Sequence, residues 1–158
     1  MRILLDVMCG GLVSYLRMCN YDTAYAGDRG LEADDDLLAV ARGEDRTVVT
    51  RDVDLASRAD ESILLESRDV EEQLAALDVA GLDLTLADDP GFCGRCNGLL
   101  EPVEPTASTP EYAPNPSTLE IWACRDCGQY FWRGSHWDRV AKTLSEIRES
   151  AGERPDET

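Results

Sequence analysis

Two Cys-x-x-Cys pairs constrain this chain more than any other feature. Cys93-Gly-Arg-Cys96 and Cys124-Arg-Asp-Cys127 are separated by 27 residues. Gly94, Gly98 and Gly128 are placed to let the backbone turn toward a metal. Four thiolates close a tetrahedron, and zinc is its usual occupant. A closed four-sulfur shell is structural, and it stabilises a segment too small to fold alone. A redox dithiol needs one such pair at a helix N-terminus, not two in hairpins. The opening "MRILLDVMCGG" has one basic residue and an apolar run interrupted by Asp6. It reads as a first strand rather than a signal peptide, which favours metal over disulfides and a cytoplasmic location. Cys9 and Cys19 stand apart from the pairs and read as small apolar groups.

Ahead of the cysteines the chain alternates strand and helix. "RILL" is a first strand, and Gly10 and Gly11 turn the chain. "LVSYLRMCN" is a helix with Leu12, Leu16 and Cys19 on one face. "DTAYAG" is a second strand. "LEADDDLLAVARGED" is a helix capped by Asp34, closed by Gly43, with Leu37, Leu38 and Ala41 inward. "TVVT" and "SILLES" are further strands around a short helix "DLASRA". "DVEEQLAALDVAG" is a helix with Asp69 as cap and Glu72 set for a capping box. Alternation over short connections implies an α/β fold, a parallel sheet with helices on both faces. After "LADDPGFCG" the rhythm stops. "NGLLEPV", "LEIWAC" and "QYFWR" read as antiparallel strands between cysteine knuckles, with a Pro/Ser/Thr-rich loop between. "SHWDRVAKTLSEIRES" is a last helix with Ser135 as cap and Val140, Leu144 and Ile147 on one stripe. The expected organisation is 1–88 for the α/β domain and 89–134 for a four-cysteine zinc ribbon. Residues 135–150 form a final helix and 151–158 a flexible tail.

The chain carries 32 acidic residues against 15 basic ones, a net of −17. Fourteen of the basic residues are arginine and one, Lys142, is lysine. Such a surface suits very salty cytosol, where screening relieves self-repulsion, and points to a halophilic source. Affinity for nucleic acid should be modest, because few cations are available to release counterions. No apolar run approaches the roughly 18 residues a membrane span needs.

In parallel sheets, sites lie at the carboxyl ends of the strands. Asp6 follows the first strand, Asp52 and Asp54 the third, and Asp34 to Asp36 begin a helix. Such carboxylates can cap helices, accept a phosphoryl group, or hold hard divalent cations. A phosphoryl-accepting receiver needs a lysine at a late strand end, and Lys142 lies in the final helix. Capping remains the bland reading for Asp34, Asp35 and Asp36. Two Asp-bound Mg²⁺ or Mn²⁺ ions, with Asp6 and Asp52 among the ligands, would activate a water and stabilise the leaving oxygen in phosphodiester cleavage. This half offers no histidine as a general base.

The stretches "LLDVMCGGLVSYLRMCNYDT", "DDDLLAVARGEDRTVVTRD", "CGRCNGLL" and "YFWRGSHW" occur in that order. Together they resemble the ribonuclease-like domain found at the C-terminus of the mut-seven exonuclease and as free-standing prokaryotic proteins. The resemblance spans roughly residues 2–140 and implies a PIN-like nuclease fold fused to a zinc ribbon, an acidic metal site, and RNA as substrate. It matches Asp6 to the first acidic position, Asp34 or Asp35 to the one at the helix start, and Asp52 to the aspartate of "TRD". Asp54 fits an auxiliary acidic position. In "WRGSHW", Trp132 and Trp137 either pack on the ribbon or stack on bases, with Arg133 on phosphate and His136 nearby. Arg17 and Arg51 flank the expected cleft and either touch phosphate or pair with surface carboxylates. Two functions follow: a metal-dependent ribonuclease, or a non-catalytic RNA- or protein-binding module on the same scaffold.

Overall fold

The computed structural model describes residues 1–86 and 88–153. Strands β1 (Arg2–Leu5), β2 (Asp22–Tyr25), β3 (Thr47–Thr50) and β4 (Ser62–Leu64) pair in parallel, in the order β2-β1-β3-β4. Successive side chains leave a strand on opposite faces. Ile3, Leu5 and Val49 enter one core, while Leu4, Val48 and Ala24 enter another. Both faces are covered, which is why the central "ILL" of β1 and "VV" of β3 are continuous apolar runs rather than alternating.

The first face is covered by a 3-10 turn (Val7–Leu12), by helix α1 (Val13–Met18), and by residues from two later helices. Helices α2 (Ala26–Arg29), α3 (Asp34–Glu44) and α4 (Val53–Arg58) bring Ala26, Leu37, Leu38, Ala41 and Leu55 to the second. Helix α5 (Val70–Val79) adds Leu74 and Leu77 to the first core. Beyond it, β5 (Leu100–Pro102), β6 (Ile121–Cys124) and β7 (Tyr130–Trp132) form an antiparallel sheet that carries the cysteines. Helix α6 (Ser135–Glu153) then returns to the α/β unit. Its Val140, Leu144 and Ile147 are buried in the same core as Ile3 and Leu5. Among the described residues no helix is long and apolar enough to cross a membrane.

Several boundaries differ from the sequence reading. Ala33, not Asp34, occupies the N-cap of α3 and makes no side-chain cap bond. Asp34 to Asp36 instead fill the first helical turn, where carboxylates offset the positive end of the helix dipole. Gly43 stays inside α3, and the helix ends at Asp45, whose left-handed backbone (φ 55°) aspartate tolerates. Gly10 and Gly11 lie within the 3-10 turn. Asp69 caps α5 by accepting the Glu72 N–H at 3.0 Å. Glu72 does not return to Asp69; its carboxylate meets the Ser67 hydroxyl, which accepts the Asp69 N–H. Residues 151–153, expected in the tail, are helical, and 154–158 lie outside the described residues.

Candidate metal centre and acidic rim

The four cysteine sulfurs lie within 4.8 Å of one another, with Cys93 and Cys124 buried and Cys96 and Cys127 exposed. The Cys93–Cys127 sulfurs are 3.7 Å apart and the Cys96–Cys124 sulfurs 3.5 Å. A tetrahedron with metal–sulfur bonds of ~2.3 Å has edges of ~3.8 Å, so the donor set fits zinc. Backbone N–H groups of Arg95, Gly98, Asp126 and Cys127 point at the sulfurs from 3.4 Å, a geometry that favours thiolates. Burial alone would raise the Cys124 thiol, but the N–H groups of Cys127 and Asp126 outweigh it and bring it down to about 7. Burial pushes Cys93 up instead. Gly128 adopts φ +77°, and a Cβ on Gly98 would stand 2.8 Å from the Cys124 sulfur. Gly94 has neither a positive φ nor a close neighbour, so the knuckle does not depend on it in the way expected. Cys9 and Cys19 are buried and apolar in behaviour: burial pushes their thiols up to about 11 and about 12.

Asp6 and Asp52 follow the carboxyl ends of β1 and β3 in the parallel sheet. Strands β1 and β3 are neighbours with Leu5 opposite Val49, so Asp6 leaves the sheet beside Thr50, two residues before Asp52. A buried residue that sequence reasoning missed joins them. The Thr50 hydroxyl donates to Asp6 Oδ2 at 2.7 Å and accepts the Asp52 N–H at 3.0 Å. Each aspartate also has a local task. Asp6 Oδ1 accepts the Val7 N–H at 2.7 Å, and Asp52 Oδ1 caps α4 through the N–H groups of Asp54 and Leu55. Asp34 and Asp35 face Arg58, at 4.0 and 2.5 Å. These carboxylates, Asp35 foremost, raise the Arg58 guanidinium further above its usual range, with Asp54 adding to the field. Among the described residues the one grouping of three or more His, Cys, Asp or Glu tight enough for a single ion is the four cysteines. Asp6 through its carboxylate and Asp52 through its backbone N–H share Thr50 as a neighbour; neither these two nor Asp34, Asp35 and Asp54 belong to such a grouping. Val7, Met8 and Val53 leave exposed apolar groups beside the two rim aspartates.

The basic and aromatic candidates divide. Arg17 is not a cleft residue: it is 2% exposed. Its Nε donates to the Thr23 carbonyl and its Nη1 to that of Gly94, both at 3.0 Å, which docks the first cysteine knuckle on β2. Asn97 reinforces the dock by accepting the Thr23 N–H and donating to Asp22. Arg51 does sit at the rim. Its Nη1 lies 3.8 Å from the Met8 sulfur, and its Nε is buried without a hydrogen-bond partner among the described residues. Arg133 is engaged rather than open: it pairs with Glu120 at 3.0 Å and lies over the Trp122 ring at 5.5 Å. Trp132, His136 and Trp137 line one cavity between the antiparallel sheet, α1 and α6. The signal that could have found Thr50 is slight, because a threonine inside an apolar strand reads as ordinary β-branched filler.

No curated protein and no solved structure matches the chain. The family model described as the Mut7-C RNAse domain matches residues 1–144, a span that takes in both sheets, the rim aspartates and all four cysteines. The chain belongs to the Mut7-C RNAse domain family.

Proposed function

We propose that this protein is a divalent-metal-dependent ribonuclease that hydrolyses RNA phosphodiester bonds, with a PIN-like catalytic unit braced by a zinc ribbon. The observation that carries the reading is the pair Asp6 and Asp52 at adjoining strand ends, joined through Thr50, in a chain of an RNase domain family. Mg²⁺ needs few protein ligands, since it keeps several waters and is held by one or two carboxylates together with substrate phosphate. Asp6 and Asp52 fit that demand. A Mg²⁺ or Mn²⁺ ion held there would supply Lewis acidity to the phosphate and make water a stronger nucleophile at neutral pH. The Thr50 hydroxyl holds Asp6 Oδ2 in place. Arg51 draws the phosphate toward the rim against the general acidity of the surface. Asp34, Asp35 and Asp54 form an outer acidic set whose charge Arg58 moderates. Zinc belongs with Cys93, Cys96, Cys124 and Cys127. The acidic, lysine-poor surface fits the cytoplasm of a halophilic archaeon.

The ion pairs of Asp34 and Asp35 with Arg58 favour a second reading, in which the acidic site is closed for chemistry and the fold only binds RNA or protein. Labelled single-stranded RNA, incubated at high salt with and without Mn²⁺, separates the two. Cleavage that needs Mn²⁺ and vanishes in both Asp6→Asn and Asp52→Asn supports the nuclease. Equal cleavage in wild type and variants would refute it.

A further inference from the structure

A cavity of about 300 Å³ lies between the antiparallel sheet, α1 and α6. Trp122, Trp132 and Trp137 line it, with Phe92 and Phe131. These are every tryptophan and every phenylalanine in the chain. Neither buried core of the α/β unit uses one; both are built largely from Leu, Val, Ile, Ala and Cys. A small core for the cysteine-bearing sheet would account for Trp122, which is 3% exposed. It does not account for the other four, which stay only half-buried around open space.

We propose that this cavity takes one unstacked base of a single-stranded RNA; the proposal rests on the ribonuclease reading above and names the form of its substrate. The volume is at the lower end of small-ligand pockets, ~300–1,000 Å³, which suits one planar group. Aromatic walls hold a base through its π-face whatever its identity. The polar groups of the lining agree with a nucleotide. Arg95 and His136 line the cavity and are exposed. Eight arginines make ion pairs with carboxylates. Arg95 has no such partner among the described residues; its Nη1 meets only the Gln129 amide oxygen, at 3.2 Å. In a chain of net charge −17, a guanidinium without a carboxylate beside an aromatic cavity is a phosphate contact in waiting. Ser14, also in the lining, lies along the 3-10 turn and α1 from Asp6, a helical path of roughly 15 Å. One strand can therefore reach both places.

Because all three tryptophans line this cavity, the intrinsic fluorescence of the whole protein reports on it. The test titrates the full chain with adenosine 5′-monophosphate and, separately, with ribose 5-phosphate, which has the phosphate and sugar but no base. Saturable quenching by the nucleotide and none by ribose 5-phosphate is expected. Trp137→Ala should weaken the nucleotide at least tenfold and Arg95→Gln severalfold; the second variant changes an exposed side chain and spares the packing. Equal responses to the two ligands, or unchanged affinity in both variants, would overturn the proposal. So would quenching by an apolar tripeptide amide with none by the nucleotide, which would make the cavity a peptide site. Cleavage of RNA without nucleotide quenching removes the base site and leaves the nuclease. Base-dependent quenching without cleavage supports the base site and removes the nuclease.

Discussion

Replacing Arg17 separates its two possible employments. Expected from the sequence to flank the cleft, this side chain is instead enclosed, and both of its strong hydrogen bonds end on backbone carbonyls. Bonds from a charged donor contribute ~1.5–3 kcal/mol each. The ion pair with Asp28 is long, 3.9 Å, and Asp28 is 58% exposed, so it adds at most ~1 kcal/mol. Methionine keeps much of the aliphatic stem but leaves the Thr23 and Gly94 carbonyls without their donor. Arg17→Met should therefore cost about 3–5 kcal/mol, a large share of the ~5–15 kcal/mol that holds an ordinary domain together. At ~2–4 °C per kcal/mol for this size, the melting temperature should fall by roughly 10 °C. Urea unfolding followed by circular dichroism, in high salt with zinc, measures it, with Arg68→Ala on the exposed surface as control. A loss under ~1 kcal/mol, no greater than the control, would refute the docking role. If RNA affinity fell instead, with the salt slope reduced by about one, Arg17 would be a phosphate contact after all.

Four further outcomes follow from the same geometry. Burial alone would raise Asp22, but hydrogen bonds from Asn97 and Arg46 outweigh it and hold the carboxyl below its usual range. Its stabilisation is full above the unfolded value of ~3.9 and is lost as pH falls through the native one, so Asp22→Asn should flatten the acid limb of a stability–pH curve; an unchanged limb counts against it. Thr50→Val deletes the hydroxyl between the rim aspartates and strands the Asp52 N–H, which should cost ~1–3 kcal/mol in a thermal melt and lower any RNA cleavage. Gly98→Ala places a Cβ 2.8 Å from the Cys124 sulfur and 2.5 Å from Asp126 Oδ2, so zinc should pass to a competing chelator faster than from wild type. Asp69→Ala removes the α5 cap at a cost of about 0.5–2 kcal/mol, visible as faster hydrogen exchange in the first turn of that helix.

Much of the fold could be read from local pattern. Continuous apolar runs mark strands covered on both faces, and the cysteine spacing marks the knuckles, because both signals live within a few residues. The functions of Arg17 and Thr50 could not be read this way. Arg17 bonds carbonyls 6 and 77 residues away, and a carbonyl leaves no trace in residue type. Thr50 matters because β1 ends beside β3, a pairing that only the folded sheet supplies. The sequence pattern ends α3 at Gly43 because glycine is the usual left-handed residue, yet Asp45 takes that backbone. The aromatic cavity gathers Phe92 with Trp122 and Trp137 from separate elements, and only "WRGSHW" looked unusual in the chain itself.

The last helix closes the first core, and this has a consequence for biogenesis. Val140, Leu144 and Ile147 wall in Ile3, Leu5, Leu74 and Leu77, so the cysteine-bearing sheet sits inside a loop of a single packing unit rather than behind it. Synthesis delivers that wall after every other part of this core. Until then the nascent α/β unit shows a greasy trench along α5, open to chaperones, proteases and its own neighbours.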